Sequence, residues 1–520
     1  MNKSTKPYLL MLGMGLLAPA YSMAQSAPAP ANSTHTSPDS TFFQEPAPGL
    51  FNASLEIPVV TTTNDVVPFW MRANRFGNTP LSGTSGGLIG SISKRYGSRR
   101  SLFDWRAGVI YRINAGSKAE GTLIEGFAAV RAGIFELKGG RSRDITGLVD
   151  STLSMGAMAV SGNALGIPKI ELSVPEYWRV PILGGLFSFK GNFSYGWFGT
   201  TPINPVSGGG AKKDNIPPVT SFYHQKSLYG RFGKPNWRLN ILAGFNHQTM
   251  YGNEDDIYEG FNLTKLESFF HVVTGKTWRA NSGFATKLGN QLGSIDFGAT
   301  YDFRTTQLFV YRQQIYDVGA LSKLANVRDG LTGISFKNKQ TGKTGWSKIL
   351  LEFLYTKNQA GELWSKITKS GDENYYNNYM YGSGWSYRDR AIGNPFLTPR
   401  HEARADLRYK ETEYFVNNRV IAFHGGFIGR ISDVNITTKL SFSKNYGTYG
   451  TSPIGTSLGR RREVLAPPYF QEVNQFSGYV EGSKMLKNNW EVGVATAFDS
   501  GKLLYDSFGL MLNVRKSFQF

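Results

Sequence analysis

The chain contains no cysteine, which excludes disulfides, thiolate metal sites, cysteine nucleophiles and a lipid anchor on an N-terminal cysteine. No segment after the N-terminus has 18 uninterrupted apolar residues, and the mean hydropathy is −0.29, so membrane-spanning helices are not expected. Acidic residues are few, 38 against 57 Lys and Arg, which makes the protein strongly basic. H-E-x-x-H does not occur, which excludes a helical zinc protease of that type. The histidines are His35, His224, His247, His271, His401 and His424, and none of them belongs to a catalytic or metal-binding motif. No metal and no cofactor is expected.

These absences leave a β-barrel open, because a barrel alternates lipid-facing with polar lumen residues and keeps an ordinary hydropathy. The 60 Gly, 35 Phe, 26 Tyr and 10 Trp suit tight strand packing and aromatic girdles better than helices. The last stretch carries the pattern most clearly. Phe508, Leu510, Leu512, Val514, Phe518 and Phe520 alternate with Gly509, Met511, Asn513, Arg515, Ser517 and Gln519, the period of a strand with one apolar face. Lys516 breaks the row, but near a membrane interface a lysine costs only about 0 to 1 kcal/mol. A terminal strand ending on Phe resembles the signal that outer-membrane barrels present to their insertion machinery. The alternative is a secreted soluble all-β protein.

Residues 1–24 read as a signal peptide, with Lys3 and Lys6, an apolar run from Tyr8 to Leu17 and a small-x-small site ending at Ala24. Its removal takes away only two charges. Residues 25–50, rich in Ala, Pro, Ser and Thr, read as a disordered linker, and residues 51–520 as one barrel domain. Further outward rows are expected at Phe187 to Trp197, Ile295 to Phe303, Ile349 to Tyr355, Ile421 to Phe427, Val434 to Phe442 and Trp490 to Phe498. Counting back from Phe520, every second connection is short: 486–489, 431–433, 339–345, 302–305, 233–236 and 181–185. Those between them are long: 200–218, 250–291, 317–330, 359–413 and 447–469. Short turns on the periplasmic side and long loops outside are the habit of outer-membrane barrels. The length suits about 16 to 18 strands.

The block Lys138 to Phe198 carries Gly140-Arg141, Ser154, Gly156, Asn163-Ala164, Ile167-Pro168, Tyr177, Phe189-Lys190-Gly191 and Tyr195-Gly196. Pro68-Phe69-Trp70 with Asn74 precedes it; Asn246-His247-Gln248, Asn418-Arg419-Val420 and Ser443 to Tyr449 follow. In this order the motifs resemble the capsule-assembly family called Wzi, in its Bacteroidetes form, over most of 65–520. The resemblance implies an 18-stranded outer-membrane barrel with an occluded lumen, a lectin that holds capsular or exopolysaccharide at the cell surface without catalysis. Residues 25–50 have neither the length nor the periodicity for the periplasmic helical bundle of the enterobacterial members.

The long loops carry matching chemistry. Tyr375, Tyr376, Tyr379, Tyr381, Trp385 and Tyr387 are followed by Arg388, Arg390, Arg400 and Arg404. Aromatic faces stack on sugar C–H faces, and Arg forks bind uronate or phosphate, as an acidic polysaccharide requires. The same residues would also serve an interfacial girdle whose Arg bind lipid phosphates. Arg460-Arg461-Arg462 either extends a basic field that steers a polyanion or is a solvated charge run. Arg141, Asn163, Asn418 and Arg419 are expected in a polar network plugging the lumen. Glu254-Asp255-Asp256 lacks the spacing of a calcium loop. Two other functions remain open: an anion- or sugar-selective porin lined by the same Arg and Tyr, and a lipid-modifying barrel using His247 or His424. Nucleic acid is not an expected partner of an exported barrel.

Overall fold

The computed structural model describes residues 50–97, 101–117, 119–205, 216–317, 324–340, 342, 344–361, 373–458 and 461–520. The expected signal peptide and all but the last residue of the expected linker lie outside them, as does Arg460.

Eighteen strands form one sheet. In chain order they are β1 (Phe51–Thr62), β2 (Ser85–Lys94), β3 (Phe103–Gly116), β4 (Glu120–Ala132), β5 (Phe135–Arg141), β6 (Lys169–Arg179), β7 (Phe187–Thr201), β8 (Val219–Phe232) and β9 (Leu239–Tyr251). They continue as β10 (Asn290–Asp302), β11 (Thr306–Tyr316), β12 (Gly330–Asn338), β13 (Gly345–Tyr355), β14 (Val420–Ile431), β15 (Val434–Asn445), β16 (Val473–Met485), β17 (Trp490–Gly501) and β18 (Ser507–Gln519). Each strand pairs antiparallel with the next, and β18 returns to β1, so the sheet closes without an edge. Phe518 lies opposite Ala53, and Leu512 opposite Val59. The last residue is paired too: Phe520 N donates to the Phe51 carbonyl at 3.0 Å, and Phe51 N to the Phe520 carbonyl at 3.3 Å.

Side chains follow the alternation read in the sequence. On β18, Phe508, Leu512, Val514 and Phe518 are exposed, whereas Met511, Asn513 and Ser517 are buried on the lumen side. The same inside-out arrangement holds for Phe187, Phe193 and Trp197 against Ser188 and Ser194, and for Phe297 against Asp296 and Ser294. An apolar exterior over a polar interior is the pattern of a barrel whose solvent outside is lipid. Lys516 lies opposite Trp490 at the short-turn end. Its ammonium donates to the Asn488 carbonyl and sits 5.4 Å from the Trp490 ring centroid, an interfacial anchor.

Connection length segregates by side. Turns at 133–134, 180–186, 233–238, 303–305, 432–433 and 486–489 share the end that holds Phe51 and Phe520. The opposite end carries 63–84, 142–168, 252–289, 356–419 and 446–472, with the short 117–119 and 502–506 among them. The long segments do not all stand above the rim: 63–84, with helix α1 (Phe69–Arg72), 142–168 and much of 373–417 fold into the barrel. Their apolar residues, among them Trp70, Met155, Met158, Tyr376, Trp385 and Phe415, form the buried core.

The lipid-facing row makes a direct stability prediction. Leu512→Arg, near the middle of β18, should lower urea-unfolding stability in lipid vesicles by about 2 to 4 kcal/mol, whereas Lys516→Leu should shift it by less than about 1 kcal/mol.

Candidate functional site

Segment 142–168 leaves the end of β5 and is bound by strands across the lumen. Leu148 N donates to Asp296 of β10 at 2.9 Å, and Met158 N to the Gln313 side chain of β11 at 2.9 Å. Glu352 of β13 accepts from Ser154 Oγ and Met155 N, both at 2.6 Å, and from Tyr311 of β11 at 2.6 Å. Tyr311 reaches it by lying across Gly333 of β12, where a Cβ would come within 2.2 Å of the ring. His424 of β14 bonds the Leu153 carbonyl through Nε2 and Ser441 Oγ through Nδ1, each at 2.8 Å. Gln248 of β9 donates to the Ala159 carbonyl at 2.9 Å, and Gln225 of β8 to Thr146 at 3.0 Å. A segment held by this many strands is a plug.

Charge is paired where the plug meets the wall. Asp144 bonds Lys138 at 3.2 Å and Lys169 at 3.0 Å, and both lysines also hold Glu171. Burial alone would raise the Asp144 carboxyl; the two ammonium groups hold it far below its usual range instead. Asp150 accepts from Ser335 of β12 at 2.9 Å and pairs with Lys348 of β13 at 3.0 Å. Burial works against its ionisation, but Lys348, Thr152 and the Leu153 N–H outweigh it and hold the group at about 2.

Segment 373–417 lies on this plug and contains all six aromatic residues expected to bind sugar. Tyr376 donates to the Met158 carbonyl, and Trp385 Nε1 to that of Ala159 at 3.2 Å. Tyr375 donates to Asp329 at 2.7 Å, and Tyr381 bridges to Ile203 of the neighbouring long loop. Tyr375, Tyr376, Tyr381 and Trp385 are at most 1% exposed, and Tyr387 is 7% exposed. Their ring faces therefore pack inward instead of lining the outer surface, because the loop must bury apolar area against the plug. Tyr379, at 49% exposure, is the one of the six that faces out.

A two-residue turn sorts the arginines. Arg388 and Asp389 both have positive φ, 50° and 60°, and join the short strands Ser386–Tyr387 and Arg390–Ala391, as a type I′ hairpin requires. Arg388 is exposed at the turn. Arg390 is turned inward, donating to the carbonyls of Arg72, at 3.0 Å, and Thr79. Buried at 6% exposure, it pins α1 instead of reaching solvent. Arg462 is exposed and donates to the Pro453 carbonyl at 3.0 Å; Arg461 belongs to a short outer hairpin. Arg141 donates to the Leu123 carbonyl at 2.8 Å and to Tyr387 at 2.9 Å. Asn163 donates to the Ala391 carbonyl at 3.0 Å, and Asn418 to that of Tyr375 at 2.8 Å. Arg419 donates to the Lys357 carbonyl at 3.1 Å and lies 3.9 Å from the Tyr449 ring centroid. Arg141 and Asn163 thus hold the 386–391 hairpin, and Asn418 and Arg419 hold the inner loop and the end of β13.

The outer surface has a groove that the sequence reading missed. Asp406 to Thr412 form one wall and Glu463, Leu465 and Pro468 the other, around a volume of about 570 Å³. Tyr409 supplies an aromatic face, with the Arg400 guanidinium 4.8 Å from its centroid. Lys410 spans the groove to Glu463 at 2.7 Å, and Arg408 donates to the Ala466 carbonyl at 3.4 Å. The signal was present as Arg408-Tyr409-Lys410, but the denser aromatic run before it drew the assignment.

A family model described as capsule assembly protein Wzi matches residues 73–409. The chain belongs to this family. The matched span includes the plug and most of the inner loop, and ends at Tyr409 within the first wall of the groove. No curated protein sequence matches the chain. Among solved structures, Escherichia coli Wzi, described as an outer membrane protein involved in group 1 capsule assembly and a carbohydrate-binding β-barrel, superposes with a TM-score of 0.52 at 13% identity, over 90% of this chain and 85% of its own. OccK5 (OpdH) of Pseudomonas aeruginosa follows at 0.42 and 10% identity, over 90% and 99% of the two chains. The fold is thus an outer-membrane barrel shared with a Wzi protein.

Two outcomes test the plug. Glu352→Ala leaves buried donors unpaired at a cost of about 1 to 3 kcal/mol each, and should turn a nearly non-conducting channel in planar bilayers into one with frequent openings. A group held below its ordinary value of 3.8 at about 2 stabilises the fold above pH ~4 and ceases to as pH falls towards 2. Acid titration of plug closure should therefore lose a transition between these values in Asp150→Asn.

Proposed function

We propose that this barrel binds capsular or exopolysaccharide at the cell surface and retains it, with the groove between 406–412 and 463–468 as the contact surface. The observation that carries the reading is the division of the molecule into a lumen filled by anchored segments and an outer face with a single-tyrosine groove. A filled lumen favours surface retention over passage, and so over the porin reading. Membership of a capsule-assembly family and the carbohydrate binding of the E. coli barrel support the same function.

The groove suits a sugar chain. Tyr409 offers a face for a ring's C–H side, while Arg408, Lys410, Glu411 and Glu463 offer donors and acceptors for hydroxyls. Its own charges are mixed, so a preference for an acidic glycan rests on exposed cations elsewhere on the long loops, Arg388 and Arg462 among them, with Tyr379 as an exposed aromatic. In this reading Tyr375, Tyr376, Tyr381, Trp385, Tyr387 and Arg390 shape the loop that carries the groove. The protein acts by binding, and no bond is made or broken. His424, one suspect for catalysis, has both ring nitrogens engaged in holding the plug.

The test is binding of the host's purified surface polysaccharide to the refolded protein in vesicles. Tyr409→Ala and Arg408→Ala should each weaken binding about tenfold, equivalent to ~1.4 kcal/mol, while Tyr376→Phe should leave it within twofold. For an acidic glycan, affinity should also fall steeply between 0.05 and 0.5 M salt, roughly the range over which screening shortens from beyond 10 Å to a few Å.

A further inference from the structure

The outward rows of the barrel are mostly apolar, but β8 carries charge well away from its short-turn end. On β8, Lys226 lies opposite Phe193 and two residues from Leu228, both exposed lipid-side residues, so its side chain leaves the wall outward. His224 and His247 share this face, and His247 lies directly opposite Lys226. An ammonium and two imidazoles at this height would meet acyl chains, which solvate them poorly.

They are covered instead. The long connection 252–289 carries the short helix α2 (Glu254–Ile257) and then helix α3 (Lys265–Thr274), which lies against the outside of the wall. Lys226 donates to the Val273 carbonyl near the helix C-terminus, where unpaired carbonyls carry the negative end of the helix dipole. Phe269 packs edge-on against His224 at 5.7 Å between centroids and against Phe193 at 6.3 Å. The helix is self-contained at both ends: Thr264 and Glu267 form a reciprocal capping box, and Gly275 closes the C-terminus in a left-handed conformation. Its far side carries Leu266 and Phe270, one turn apart and 65% and 56% exposed.

We propose that α3 is embedded in the outer leaflet of the membrane, with Leu266 and Phe270 against lipid acyl chains and its other face sealing Lys226 and His224, beside His247. Two observations select lipid as the occupant. The exposed pair extends the apolar belt of Phe193, Trp197, Leu228 and Phe245 on the strands beneath. Exposed Lys265 and Lys276 flank the helix, as an element lying beside anionic headgroups requires. The proposal depends on the barrel fold and is independent of the glycan reading.

The absence of native cysteine makes the test direct. Leu266→Cys and Phe270→Cys, in the full mature chain, would carry a bimane probe in phosphatidylcholine–phosphatidylglycerol vesicles, with Leu512→Cys as the lipid-belt control and Arg462→Cys as the outer-surface control. Nitroxide-labelled acyl chains should quench the 266 and 270 probes as strongly as the 512 probe, and aqueous iodide should quench them several-fold less than the 462 probe. Iodide quenching equal to that at 462 would overturn the proposal by placing α3 in water. Protection from both quenchers would overturn it equally, because the face would then be covered by protein.

Discussion

Inside a bilayer no water is available to pair with backbone N–H and C=O groups, and each group left unpaired costs several kcal/mol. A chain without an apolar helix meets this constraint only by closing a sheet on itself. Here β18 closes on β1, down to the reciprocal bonds between Phe51 and Phe520. Closure divides every strand into an outward row that meets lipid and an inward row that does not. The polar inward row then needs partners, and much of the molecule supplies them.

The partners come from the chain itself. Backbone groups of 142–168, which form no strand of the barrel, are paired by Asp296, Gln313, Glu352 and His424 on the wall. The arrangement satisfies both sides: irregular backbone is tolerated at membrane depth when protein surrounds it, and buried wall carboxylates are tolerated when donors surround them. With the plug in place, 373–417 has an apolar surface to cover, which explains why its aromatic side chains turn inward and why the groove forms where this segment meets 446–472. The filled lumen and the outer groove are thus two consequences of the same packing, and both suit a family whose work is capsule assembly.

The outside obeys the same rule in reverse. Polar groups on the lipid side are either at the interface, as Lys516 is beside Trp490, or covered, as Lys226 is by α3. 

The pattern of residues along the chain was enough for a barrel with short turns at one end and long loops at the other, and it bracketed the strands at about 16 to 18; the closed sheet has 18. Strand alternation has a period of two whatever lies around it, and short turns need Gly, Asn, Asp, Pro or Lys at the positions where 431–433 and 486–489 show them. The family was legible for a related reason, since the order of the motifs from Asn163 to Tyr195 survives in one dimension. Only the tertiary structure decided which loop residues face solvent. Tyr375 and Tyr379 are four positions apart in one aromatic run, yet one is fully buried and the other about half exposed; Arg388 and Arg390 are parted by a turn whose geometry no composition reveals. Irregular segments have no period from which to read a face. Their burial depends on what lies opposite, and for the inner loop that is a plug drawn from more than two hundred positions earlier in the chain.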